Sequence, residues 1–201
     1  MRRNGYPPRK EGIGDYAKKK TARYIERDEG QREEFVRTLE DLPDDAEIFY
    51  ADEAGFEEYY SRTYGYAHRG ERVYGEVAGK HFDRTSVAAA INEDNKITAP
   101  FAFKGCMNGA LFQGWLEEIF VPCLTNPQQS VLIIDNATHH SKDAIQDTAD
   151  GYGFRVIFLP KYSPDLNPIE KVWANIKNWL RLHMHEFGSF WDGLIHAFES
   201  R

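Results

Sequence analysis

Val131-Leu132-Ile133-Ile134-Asp135 is a short aliphatic run closed by a carboxylate. Every position in it is apolar, not every second one, which is the pattern of a strand covered on both faces, as in a parallel sheet. Upstream, residues 109–124 change period. Leu111, Phe112, Trp115, Leu116, Ile119, Phe120 and Cys123 recur at three- and four-residue spacing, the stripe of an amphipathic helix. Downstream, a helix over 141–150 ends at Gly151 or Gly153, a strand over 155–159 is stopped by Pro160, and a last clear helix runs from near 168 to about 183.

The N-terminal half reads differently. A short helix over 28–41, with Phe35, Leu39 and Leu42 as its apolar positions, is ended by Pro43. A strand follows over 47–52, then extended segments near 72–78 and 84–91. The turn Glu93-Asp94-Asn95-Lys96 and a partner strand over 97–103 predict a hairpin. Antiparallel strands first, then helices alternating with parallel strands, predict an α/β chain with a mixed five-stranded sheet and helices on both faces. Among common architectures, the ribonuclease H-like fold fits this order.

Composition sets limits on function. The chain has 201 residues, with 25 Lys+Arg against 32 Asp+Glu. No apolar run approaches the roughly 20 residues that span a bilayer, so a membrane protein is not expected. No secretory signal follows the basic N-terminus, which leaves a cytoplasmic protein, associated with the bacterial nucleoid when acting, as the expectation. Cys106 and Cys123 read as core thiols. The net charge of −7 argues at first against a nucleic-acid partner, but it is unevenly spread. Residues 1–27 hold nine Lys/Arg against three Asp/Glu, and residues 28–160 hold eleven against twenty-four. The Gly- and Pro-broken arm over 1–27 is either a solubilising linker or a phosphate-contacting segment.

Three carboxylates stand out by position. Asp52 ends the first strand and Asp135 ends the buried one, and neighbouring parallel strands bring their C-terminal ends together. Glu170 opens the last helix. Three hard oxygen ligands suit Mg²⁺ or Mn²⁺, and two such ions would support an in-line phosphodiester displacement. Each residue also has an ordinary reading. The aspartates can be polar residues where strand meets loop, and Asn167-Pro168-Ile169-Glu170 looks like a helix cap with a capping-box glutamate. On the last helix, Ile169, Val172, Trp173, Ile176 and Leu180 form a core stripe. Lys177 and Arg181 share a face with Glu170, where they can meet phosphate or simply face water.

Three blocks carry a resemblance. Tyr50-Ala51-Asp52-Glu53-Ala54-Gly55-Phe56, Val131 through His140, and Leu159-Pro160-Lys161-Tyr162-Ser163-Pro164-Asp165-Leu166-Asn167-Pro168-Ile169-Glu170-Lys171-Val172-Trp173 resemble the signature blocks of DDE transposases. The branch they resemble is the Tc/mariner superfamily, in its bacterial insertion-sequence members. Thirty-four residues (136 to 169) separate the second and third acids, the spacing of a DD34E triad. The resemblance covers roughly residues 18–185. It implies a ribonuclease H-like catalytic domain with Asp52, Asp135 and Glu170 as metal-binding catalytic residues. It also implies two Mg²⁺ ions, replaceable by Mn²⁺, cleavage at transposon ends, and strand transfer into target DNA at TA dinucleotides by a homodimeric complex. Asn136 and His139 match a polar loop that contacts the scissile strand, or else caps a helix. Lys161, Tyr162 and Lys171 flank the same region as further DNA-contact candidates.

The expected organisation is a basic arm (1–27), a short helical lead-in (28–45), the catalytic domain (46–190) and a C-terminal tail (191–201). Full-length relatives carry helix-turn-helix modules ahead of the catalytic domain, and nothing in residues 1–45 resembles one. Sequence-specific end binding is therefore not expected of this chain alone. It reads as a catalytic-domain fragment, as the second reading frame of a frameshifted element whose helix-turn-helix half is encoded separately, or as an inactivated remnant. A catalytically silent DNA-binding or regulatory fragment is the competing expectation.

Overall fold

In a computed structural model, the structure describes residues 24–58, 67–72, 74, 84–137 and 141–200. Five strands form one sheet: β1 (Glu47–Glu57), β2 (Arg84–Asn92), β3 (Ile97–Lys104), β4 (Ser130–Ile134) and β5 (Arg155–Phe158), in the order β3-β2-β1-β4-β5. β1 runs antiparallel to β2 and parallel to β4, so the sheet is mixed, as the order of elements predicts. The β2–β3 hairpin turns on Asn95, whose φ of 60° suits a residue tolerant of left-handed backbone. The expected strand at 72–78 falls almost wholly outside the described residues.

Side-chain alternation divides the core. On one face Phe49, Ala51, Ala88, Ala90, Leu132 and Ile134 meet α2 (Gly109–Trp115) and α3 (Lys142–Tyr152) through Phe112, Trp115, Ile145 and Ala149. On the other, Ala54, Phe56, Val87, Ala89 and Ile91 meet α4 (Ile169–His183) and α5 (Phe190–Glu199). Val131 and Ile133 pack with Phe35 of α1 (Glu29–Glu40). β4 is buried along its whole length, which explains why its sequence is apolar at every position. No described helix is long and apolar enough to cross a membrane.

Three local readings change. The helix expected over 109–124 is regular only to Trp115. It then widens to a π-helical turn over Leu116–Phe120 and tightens to a 3-10 turn over Val121–Cys123, at Pro122, which has no N–H to donate. Cys106 and Cys123 are exposed, not core thiols, because one lies in the loop after β3 and the other on that last tight turn. The segment read as a C-terminal tail, 191–201, is largely helical. Ser189 caps α5 by accepting from the Asp192 N–H at 3.2 Å, and Phe190, Leu194 and Ala197 are buried in the same core as α4.

Candidate active site

β1 and β4 pair in parallel with Tyr50 opposite Ile133. Extending that register by two residues sets Asp52 level with Asp135, which follows the end of β4. Asp52 does not end its own strand as expected, because β1 continues past it to Glu57 in pairing with β2. Even-numbered residues of β1 such as Ala54 and Phe56 face α4, and Asp52 shares their side of the sheet. Glu170 sits in the first turn of α4. Asn167 fastens this helix start to the sheet: its side chain donates to the Ala51 carbonyl at 3.4 Å and accepts from the Ile169 N–H at 3.3 Å. The helix begins one residue later than the capping pattern suggested, at Ile169. Glu170 makes no hydrogen bond through its carboxylate to another described residue, so the capping-box role is not realised.

The three acids line one cavity of about 460 Å³, together with Asn136, Lys161 and Tyr162. Lys171, Lys177 and Arg181 lie outside it, and His139 lies outside the described residues. Lys177 instead places its ammonium 5.5 Å from the centre of the Phe56 ring. Trp173 is core, as its place in the apolar stripe predicts, being 2% exposed and edge-on to Phe56 at 6.0 Å.

Trp173 also has a polar role that its place in the stripe did not reveal. Its indole Nε1–H donates to Asp52 Oδ2 at 3.1 Å, joining residues 121 apart in sequence. It lies one turn after Glu170, so one helix both carries the third acid and holds the first. Burial pushes the Asp52 carboxyl up to about 7, with further upward pressure from the charges of Glu170 and Asp135. The Glu53 backbone N–H and the Trp173 indole oppose that rise. Trp173→Phe keeps a ring against Phe56 and deletes the donor. The Asp52 carboxyl is then expected to titrate at still higher pH, with about 1.5–3 kcal/mol of stability lost at pH 8. A ¹³C-carboxyl NMR titration checks the first expectation and thermal unfolding the second.

A divalent cation fits this donor set. Three carboxylates around one cavity offer hard oxygen ligands, and the charges of Glu170 and Asp135 add to burial in raising the Asp52 carboxyl, a repulsion that a bound cation would relieve. Among the described residues no three His, Cys, Asp or Glu side chains stand close enough together to hold one ion. The acids share a cavity and do not form a closed cage.

Segment 24–32 also reaches this site, which no local signal in its sequence indicated. Tyr24 lines the cavity, and Arg32 donates to both oxygens of Asp165 at 3.0 and 2.7 Å across 133 residues.

The DDE superfamily endonuclease family matches residues 47–190. No curated protein matches the chain. Among solved structures, the Mos1 strand transfer complex aligns with a TM-score of 0.63 at 18% identity, over 94% of this chain and 64% of that one. The mariner Mos1 paired end complex with Mg gives 0.65 at 16% identity, over 93% and 65%. The catalytic domain of Mos1 mariner transposase gives 0.51 at 16% identity, over 85% and 86%. The chain thus spans about 64% of the length of the strand-transfer Mos1 chain. Identities this low speak to the fold, which is ribonuclease H-like.

Proposed function

The chain belongs to the DDE superfamily of endonucleases, and we propose that it is a transposase catalytic domain of the Tc/mariner type, from the bacterial insertion-sequence branch. One observation carries the reading: Asp52, Asp135 and Glu170, from two strands and a helix far apart in sequence, line one cavity with Lys161. Its substrate would be DNA, cut at transposon ends and joined to target DNA at TA dinucleotides by a pair of subunits. End recognition would come from a helix-turn-helix half. A DNA substrate, together with the bacterial branch proposed above, would place it at the nucleoid of a bacterial cytoplasm.

Asp52, Asp135 and Glu170 would hold two Mg²⁺ or Mn²⁺ ions. When bound, such ions lower the pKa of a coordinated water or hydroxyl and offset charge on the transferring phosphate. The protein's own groups do the rest. Trp173 and the Glu53 N–H orient the Asp52 carboxylate and favour its ionised form. Lys161 and Asn136 flank the cavity where a phosphodiester would lie, and Lys161 balances its charge. In the first step water attacks phosphorus and the P–O3′ bond breaks, leaving a 3′-hydroxyl. In the second, that hydroxyl attacks a target phosphate, a new P–O3′ bond forms, and the target strand's own 3′-oxygen leaves.

The competing reading, a silent DNA-binding or regulatory fragment, has one observation in its favour: the absence of a closed metal cage among the described residues. Precut transposon-end DNA incubated with target plasmid and Mn²⁺ separates the two. Joined strands support the transposase. Cut but unjoined strands indicate a nuclease. Bound, unaltered DNA supports the silent fragment.

A further inference from the structure

The Tyr24 and Tyr162 rings lie 5.8 Å apart between centroids, inclined at 41°. Both line the cavity that the three acids share. Both stay open to solvent, Tyr24 at 57% and Tyr162 at 49% exposure. Rings left half in water forgo about half of the burial free energy that their area offers. Tyr162 carries an added cost, since its φ of 56° is left-handed backbone that a bulky residue seldom adopts. The chain holds this ring at the rim of the site at some expense.

The arrangement is fastened from behind. Arg32 grips Asp165 with two bonds, and Arg27 approaches the same carboxylate at 3.7 Å. The carboxyl of Asp165 is held below its ordinary range chiefly by Arg32, with smaller help from a backbone N–H and from Arg27. These contacts tie the start of α1 to the loop carrying Tyr162, so the two rings keep their relation without being buried.

We propose that Tyr24 and Tyr162 form an aromatic shelf that stacks against an unpaired nucleobase beside the phosphate presented to the carboxylates. The proposal rests on reading the cavity as a DNA-processing site. A phosphodiester can approach acids recessed at a sheet edge more readily where its strand is ended or locally opened, which leaves an adjacent base without a stacking neighbour. Every base has a π-face, so a tyrosine shelf accepts that base without reading its identity. Lys161, adjacent to Tyr162 on the same cavity, supplies a cation for the neighbouring phosphate.

The test uses the full chain in EDTA and two short fluorescent strands of equal length, one of thymidylate and one abasic. The wild type is expected to bind the base-bearing strand about tenfold more tightly. Tyr24→Ala and Tyr162→Gly should each remove most of that preference and leave abasic affinity unchanged, while Tyr24→Phe keeps it. Glycine suits the left-handed backbone at 162, so Tyr162→Gly deletes the ring with the fold preserved. No preference in the wild type, a preference that survives both ring deletions, or equal weakening on both strands would overturn the shelf. No cleavage is needed for this readout. A protein that stacks bases yet never cuts DNA overturns the catalytic reading alone, and one that cuts without stacking overturns the shelf alone.

Discussion

Asp135→Ala is expected to abolish divalent-metal-dependent nicking while the protein stays folded. Loss of a partner that merely orients a metal ligand costs about 10–100-fold, so deletion of a ligand itself should exceed about 100-fold. The fold should survive because Asp135 lies at the open end of β4, where its carboxylate pushes against that of Asp52. Removing a like charge lowers the Asp52 carboxyl somewhat, while burial still holds it raised, so stability at pH 8 should hold or rise slightly. Asp135→Asn sharpens the result. It retains an oxygen for the Ala137 N–H, which sits 3.3 Å from Asp135 Oδ1, and removes only the charge. Plasmid nicking in Mn²⁺, run beside thermal unfolding, checks both halves. Nicking at wild-type rate by either folded variant would remove Asp135 from the catalytic centre.

The second large effect concerns pH. The Asp52 carboxyl titrates at about 7 in the folded chain against an ordinary value of 3.8. Between those two values the native protein keeps a proton that the unfolded chain has released, so stability falls as pH rises through that interval. The penalty is complete above about pH 7 and amounts to about 4 kcal/mol. Of this, about 3 kcal/mol falls between pH 5 and pH 8, so without divalent ions the chain should unfold about 5–10 °C lower at pH 8 than at pH 5. Asp52→Asn cannot ionise and should flatten most of that slope. Mg²⁺ or Mn²⁺ should restore stability at pH 8, since a bound cation favours the ionised acid, and metal affinity should rise through the same interval. Calorimetric unfolding across pH, with and without the ions, checks each statement. An Asp52→Asn slope equal to the wild type's would move the titrating group elsewhere.

The aliphatic run at 131–134, the three- and four-residue spacing of Leu111 to Phe120, and the stripe from Ile169 to Leu180 announce strand and helix directly. Periodicity is a property of consecutive residues, so it is legible without tertiary structure. The same holds for Asp135 after β4 and Glu170 at the start of α4, whereas Asp52 lies midway along β1, because the antiparallel pairing with β2 that extends this strand to Glu57 has no local signal. α5 is missed in the sequence and read as a tail, although Ser189 with Asp192 three residues on and Phe190, Leu194 and Ala197 at helical spacing carry its signal. The arm over 1–23 lies outside the described residues.

The amino-acid sequence alone determined the order of elements, the apolar faces and the residues able to do chemistry. Only the tertiary structure decided how those residues meet. The β1–β4 register sets Asp52 level with Asp135. The Trp173 indole reaches Asp52 across 121 residues, and Arg32 reaches Asp165 across 133. It also turned Lys177 toward Phe56 and brought Tyr24 to Tyr162. The physical reason is one of range. Propensity, period and capping act over a turn or two of chain, whereas a hydrogen bond or ion pair between distant residues exists only where packing of the whole sheet and its helices brings donor and acceptor together.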